Sequence, residues 1–245
     1  MRSRESVPDT FRTILYAVMI ALVIRALAFE PFNIPSSSMV PGLQVGDYLF
    51  VSKFSYGYSS LSTAWGLLPL KGRIGGHPPE RGDVVVFKLP TDTRTDYIKR
   101  LIGLPGEKIE VKSGVVYIND KPLARERIGP IMLEDREGLL IRPATEYRES
   151  TAEGKSYKTV QEYDNGPLDN FGPIQVPPGK YFMMGDNRNN SQDSRVASKV
   201  GFVPEENLVG RAQVTFFSLT SDASFWQFWK WPFAIRWERM FKKIV

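Results

Sequence analysis

Hydrophobic positions divide the 245-residue chain into three regimes. Residues 14–29 are sixteen side chains, fifteen of them uncharged and mostly apolar, broken by one charge, Arg25. Extended to Thr13 and Phe32, the run approaches the roughly twenty helical residues that span a bilayer. It predicts a transmembrane helix from which Arg25 snorkels to the far interface. Glu30-Pro31 should end that helix at the membrane surface, because a residue before proline disfavours helical dihedrals. From Val45 onward the pattern becomes strand-like, with apolar stretches at 48–51, 83–87, 97–102 and 115–118, and again at 180–184 and 212–217. Turn chemistry such as Val45-Gly46-Asp47 and Leu104-Pro105-Gly106 bounds them. The third regime is the end of the chain. There Phe225, Trp229, Phe233, Trp237 and Phe241 recur every four residues among lysines and arginines.

The pattern predicts a mostly β protein with core segments at 30–107 and 181–220, and an extended hairpin or loop at 56–80 that holds Trp65 and His77. Residues 108–180 mix charges of both signs with few apolar runs, and predict a peripheral lobe inserted between the core segments. Residues 1–12 form a cytoplasmic N-terminus, 13–29 the anchor, and 221–245 an aromatic, basic tail. The four-residue rhythm predicts an amphipathic C-terminal helix lying in the membrane interface, kinked or started by Pro232. Packing on the protein's own core is the alternative. A second span is excluded by Lys230, Arg236, Glu238 and Arg239.

Charge sharpens this picture. The net +5 is concentrated at the ends, +2 over residues 1–29 and +4 over 230–245, leaving the middle near −1. Positive charge beside apolar and aromatic runs points to membrane lipids and away from nucleic acid. Arg2, Arg4 and Arg12 precede the apolar run, and the next basic residue after Arg25 is Lys53. The positive-inside bias therefore puts the N-terminus in the cytoplasm and everything after Pro31 outside. A basic start, an apolar run and Ala26-Leu27-Ala28 also fit a cleavable leader. The chain after Ala28 passes straight into the candidate active-site loop, which favours the anchor.

The chain has no cysteine and one histidine, His77. Disulfides, thiolate metal sites and cysteine nucleophiles are excluded, and a serine nucleophile has almost no histidine to serve it. Covalent chemistry would take a lysine as proton acceptor. His77, in Gly75-Gly76-His77-Pro78-Pro79, has no acid at useful spacing. No cluster has metal-ligand spacing and no glycine-rich phosphate loop is present, so neither metal nor cofactor is expected.

Three segments carry the chemistry: Pro35-Ser36-Ser37-Ser38-Met39-Val40-Pro41, Asp96-Tyr97-Ile98-Lys99-Arg100, and Gly185-Asp186-Asn187-Arg188-Asn189-Asn190-Ser191-Gln192-Asp193-Ser194-Arg195. Alternation along the second puts Tyr97 and Lys99 on one strand face, Ile98 and Arg100 on the other. A lysine base neutral near pH 7 needs its pKa lowered by about 2–3 units, which burial supplies. In order, behind a membrane anchor, the three segments resemble the bacterial type I signal peptidases. These are membrane-bound Ser/Lys endopeptidases that cut leader peptides from exported proteins. The resemblance runs from Arg25 to Arg211 and implies an antiparallel β catalytic core with an inserted β-rich lobe.

It implies Ser38 as nucleophile, Lys99 as general base, and an oxyanion hole from the Ser38 N–H and the Ser36 hydroxyl. Ser191 would orient the lysine. Asp193, Arg195 and Arg100 would support the site, and Phe87, Tyr97 and Met183 would surround the lysine. Phe32, Ile34, Pro35, Met39, Leu43 and Ile98 would line, with Tyr97, small apolar slots for the cleavage-site side chains. Gln192 departs from members with a smaller residue there. The implied protein is a monomer of the bacterial inner membrane that acts on exported preproteins after A-x-A. Two rivals remain. A self-cleaving repressor-type Ser/Lys relative is disfavoured by the anchor and by the lack of a DNA-binding module. A membrane-anchored β-domain that binds exported peptides or partner proteins without cutting would not need Ser38 and Lys99 to converge.

Overall fold

The apolar run is a helix, α1 (Val7–Leu27), in the computed structural model, which describes residues 7–63, 70–134, 141–220 and 226–245. Arg2, Arg4, Trp65 and Phe225, singled out by the sequence pattern, lie outside the described residues. None of the stretch Thr10–Leu27 is buried against protein. The helix stops at Leu27, three residues before the expected Glu30, because Phe29 already opens a strand. Its end is tied to the body by the Lys53 N–H donating to the Ala28 carbonyl at 3.0 Å, and by the Tyr58 hydroxyl donating to the Leu27 carbonyl.

The described residues form strands β1 (Phe29–Asn33), β2 (Asp47–Ser52), β3 (Val84–Leu89), β4 (Asp92–Gly103), β5 (Lys108–Lys112), β6 (Val115–Ile118), β7 (Lys121–Pro122), β8 (Ala124–Glu134), β9 (Ile141–Ser150), β10 (Ser156–Gln161), β11 (Phe171–Gln175), β12 (Lys180–Met184), β13 (Val203–Pro204), β14 (Leu208–Ser218) and β15 (Lys242–Lys243). The main antiparallel sheet runs β1-β2-β14-β3-β4-β12-β13, with β15 beside β14. A three-stranded sheet β10-β9-β8 and a four-stranded sheet β11-β5-β6-β7 come from the segment between β4 and β12. The architecture is mostly β, as the pattern predicts. β1 was not predicted as a strand. Its Pro31 is tolerated because β1 is an edge pairing only with β2. In the 56–80 insert, a Tyr58–Ile74 bridge joins the two described arms.

Alternation along β4 builds the core on both faces of the sheet. Ile98 packs with Ile34, Met39, Leu43, Val84 and Val86. Tyr97 and Leu101 pack on the opposite face with Val85, Phe87, Met183 and Leu208. Lys99 lies between Tyr97 and Leu101 in sequence and opposite Val85 in register. The side chain predicted to be desolvated therefore points to an apolar face.

The tail carries a helix, but a short one. Residues 226–245 run through a 3-10 turn (Phe228–Lys230), a single α-turn α2 (Trp231–Ala234), another 3-10 turn (Trp237–Arg239) and β15. Pro232 lies at the start of α2, where a missing N–H costs nothing. Docking explains why no continuous helix forms. The Thr220 N–H donates to the Ala234 carbonyl, the Arg236 N–H to the Ser218 carbonyl, and β15 pairs with β14. Arg239 forms a buried bidentate pair with Asp47. Trp226, Phe228, Trp229, Phe233, Trp237 and Phe241 remain exposed.

Candidate active site

Ser38 sits in a one-turn 3-10 helix (Ser37–Met39) that follows extended Ser36. The first N–H groups of any helix lack an intrahelical acceptor. Here the internal bond runs from the Val40 N–H to the Ser37 carbonyl, leaving the Ser38 N–H outside it. The turn is clamped from the 185–195 segment: the Asn187 N–H donates to the Ser38 carbonyl at 3.1 Å, and the Asn190 amide donates to Ser37 Oγ at 3.1 Å. Gly185 makes the approach possible. A Cβ there would lie 2.6 Å from the Ser38 carbonyl oxygen and 2.2 Å from Ser191 Oγ, closer than any side chain can approach.

Lys99 Nζ donates to Ser38 Oγ at 2.6 Å and to the Ile98 carbonyl at 2.9 Å. Only 4% of Lys99 and 8% of Ser38 is exposed. The ammonium also lies 5.4 Å from the Tyr97 ring centroid, and that ring packs on Phe87. Burial lowers the Lys99 pKa to about 8, against the opposing pull of Asp193 and Asp186. Ser36 Oγ lies 3.4 Å from Ser38 Oγ.

Two buried ion pairs stand behind the lysine. Arg100 donates to both Asp186 oxygens, at 2.7 and 2.8 Å. Arg195 does the same to Asp193, whose carboxylate also accepts the Gly185 N–H at 3.0 Å. Burial alone would raise the Asp193 pKa, but Arg195 and the Gly185 N–H hold it below the usual carboxylate range. Ser191 Oγ is buried near this carboxylate and makes no hydrogen bond of good geometry. The structure thus brings Ser191 to the site without bonding it to Lys99, whose two bonds go to Ser38 and Ile98. His77 lies exposed in its loop.

Above the pair opens a cleft of about 410 Å³, lined by Pro35, Ser36, Ser37, Ser38, Thr95, Asp96, Tyr97, Ile98, Lys99, Asn190 and Gln192. Of the residues expected to bind substrate, Pro35, Tyr97 and Ile98 are in this lining. Ile34, Met39 and Leu43 are not in the lining; they are buried in the cluster against which Ile98 packs. Phe32 lines a second cavity, beside Leu22, Arg25 and Ala26 of α1. Thr95, Ser37 and Asn190 were missed as cleft residues. Asn190 belonged to a quoted motif, but neither its spacing nor its chemistry marked it.

Comparison with known proteins places the chain among the serine peptidases, hydrolases of peptide bonds. The chain belongs to the signal peptidase family, peptidase S26, whose family model matches residues 7–217. Signal peptidase I of Rickettsia typhi is 43% identical over 225 residues, covering 89% of this chain and 83% of that protein. Signal peptidase I of Rickettsia prowazekii is 41% identical over 226 residues, with the same coverage of 89% and 83%. That of Rickettsia conorii is 44% identical over 211 residues, covering 83% of this chain and 77% of that protein. A crystal structure of a signal peptidase I from Enterococcus faecalis V583 is 28% identical, with TM-score 0.33, covering 55% of this chain and 97% of that chain. As a member of this family the protein is a membrane enzyme that removes signal peptides from preproteins.

Proposed function

We propose that the protein cuts by a Ser/Lys dyad through an acyl-enzyme, with Ser38 as nucleophile and Lys99 as general base. The observation that carries this reading is the 2.6 Å contact between two buried side chains, one of them a lysine whose pKa is lowered to about 8. Neutral Lys99 takes the Ser38 proton as Oγ attacks the scissile carbonyl. The oxyanion is held by the Ser38 N–H and the Ser36 hydroxyl, each such donor being worth about 2.7–4 kcal/mol in the transition state. Protonated Lys99 then gives its proton to the leaving amine of the mature protein. The signal peptide stays esterified to Ser38 until a water, deprotonated by Lys99, releases it.

The substrate enters as an added strand. β12 pairs with β4 only from Arg100 onward, so among the described residues the 95–99 stretch keeps one edge open to the cleft. An extended peptide can bond there while alternate side chains point into pockets. Ile98, in the cleft lining, packs against the buried cluster of Ile34, Met39 and Leu43. Apolar slots backed by that cluster admit alanine and reject larger residues by steric exclusion, the basis of cleavage after A-x-A. The 30–107 and 181–220 segments are the catalytic core and 108–180 an inserted lobe. α1 crosses the bacterial inner membrane once with its N-terminus in the cytoplasm, as Arg2, Arg4 and Arg12 before the apolar run and the gap from Arg25 to Lys53 after it support. The enzyme works as a monomer on exported preproteins at a lipid surface, without nucleic acid, metal or cofactor.

The test is cleavage of a preprotein carrying an A-x-A site by detergent-solubilised enzyme. Ser38→Ala and Lys99→Ala should each lose about 10³-fold or more in kcat while staying folded. Because the base acts unprotonated, wild-type activity should rise with pH through a midpoint near 8. Full activity of Lys99→Ala, or a flat profile from about pH 6 to 9, overturns the mechanism.

A further inference from the structure

The inserted segment between β4 and β12 presents one face of its three-stranded sheet to the back of the catalytic site. Glu149 on β9 and Tyr157 on β10 are cross-strand partners, so their side chains leave the sheet on the same side. Both are buried, with 1% and 5% exposure. Glu149 receives both terminal nitrogens of Arg188, at 2.7 and 2.5 Å, and Arg188 is itself 2% exposed. The Tyr157 ring lies under the Arg100 guanidinium, 3.9 Å from its centroid, and Arg100 adjoins Lys99 in β4.

Backbone joins the same two bodies. The Val160 N–H of β10 donates to the Asp186 carbonyl at 2.9 Å, and the Arg188 N–H returns a 2.9 Å bond to the Val160 carbonyl. Together they make a short parallel bridge between β10 and the loop that clamps Ser38. From Arg188 the contacts run inward without a gap. Its Nε donates to the Gly185 carbonyl at 3.2 Å, and its carbonyl accepts from Arg195 at 2.8 Å. Arg195 holds Asp193, Asp193 holds the Gly185 N–H, and the Asn187 N–H holds the Ser38 carbonyl.

We propose that the inserted lobe is part of the catalytic apparatus, with Glu149 and Tyr157 as positioning residues that hold the 185–195 loop and the Lys99 strand in their reactive arrangement. This rests on the Ser38/Lys99 reading. A buried guanidinium with no carboxylate would pull its loop toward water, and a shift of about 1 Å at a reacting pair costs up to roughly 100-fold in rate. Arg100, by contrast, keeps Asp186 when Tyr157 is removed. Tyr157→Leu therefore loosens the clamp without stranding a charge.

The measurement is peptide cleavage by detergent-solubilised full chain across pH, with thermal melting alongside. The samples are wild type, Glu149→Gln, Glu149→Asp, Tyr157→Leu and a Lys99→Ala control. Glu149→Gln and Tyr157→Leu should lose about tenfold in kcat with KM within about twofold, since the groups that meet substrate are untouched. Glu149→Asp should recover part of that loss. The charges facing Lys99 are Asp193 and Asp186, and its low pKa comes chiefly from burial. A loosened clamp that admits water should therefore move the pH midpoint up by about half a unit. Folded Glu149→Gln and Tyr157→Leu with wild-type kcat and midpoint, beside an inactive Lys99→Ala, overturn this inference alone. Should Glu149→Gln not fold, Tyr157→Leu decides by the same criteria. A Lys99→Ala control that still cleaves overturns the dyad reading, and this inference with it.

Discussion

Lys99 is held where a lysine is least stable. Its pKa falls from 10.5 in the free side chain to about 8, because burial disfavours the ammonium more than Asp193 and Asp186 favour it. Between those two pH values the unfolded chain binds the proton and the folded chain does not. This group's contribution to stability therefore rises with pH from about 8 to 10.5. At pH 7 its burial costs about 3 kcal/mol. Lys99→Met, which keeps the shape and removes the charge, should be inactive yet melt several degrees higher at pH 7, and the advantage should shrink by pH 10. Melting curves at the two pH values check this, and an unchanged or lower melting temperature at pH 7 would contradict the burial cost. The quoted motifs made Ser38 and Lys99 legible as candidates. Sixty-one positions separate them, so no local spacing could make them touch. The same limit hid the place of the Ser191 hydroxyl, which comes to rest buried beside Asp193 and not bonded to Lys99.

At the scale of elements, strands with strong alternation and clear turns were readable. β6 and β12 match their predicted bounds, while β4 and β14 extend beyond theirs because pairing recruits flanking residues, the polar 92–96 in β4 and 208–211 in β14. β1 was not readable, since Phe29-Glu30-Pro31-Phe32-Asn33 has no strand signature apart from the partner β2 offers it. The tail carries a short helix where its four-residue rhythm predicts one, and backbone groups of β14 and Thr220 offer bonds that compete with a longer one. Asp47 is the pin: fully buried, it accepts from Arg239, Ser218 and the Gln44 N–H. Arg239→Met should cost about 3 kcal/mol, because it leaves that carboxylate short of its countercharge. It should also free the tail for limited proteolysis before the rest of the chain opens. A tail that stays protected in this variant would show that backbone pairing alone holds it.

At the scale of the whole molecule, α1 offers no buried face, and six aromatic side chains of the docked tail point to solvent. The backbone of the tail packs on the core, and its rings are left uncovered. Exposed aromatic surface of this kind is costly in water and favourable at a headgroup layer. Trp229→Ser, Phe233→Ser and Trp237→Ser together should slow cleavage of a bilayer-embedded preprotein by about tenfold. Cleavage of a short soluble peptide should stay within about twofold. Equal losses on both substrates would assign the rings to folding instead.

By itself the amino-acid order predicted one long apolar helix and the β class, left no cysteine and a single histidine for chemistry, and offered Ser38 and Lys99 as candidates. The first three follow from periodicity or residue inventory, which are properties of neighbours along the chain, and the last from motifs that resemble a known family. The tertiary structure alone brought Lys99 to 2.6 Å from Ser38 and buried it deeply enough to lower its pKa. It also turned a charge-rich segment of no evident purpose into a sheet whose Glu149 and Tyr157 press on the catalytic loop and strand. Desolvation and ion pairing depend on which distant segments exclude water together, and no local pattern carries that information.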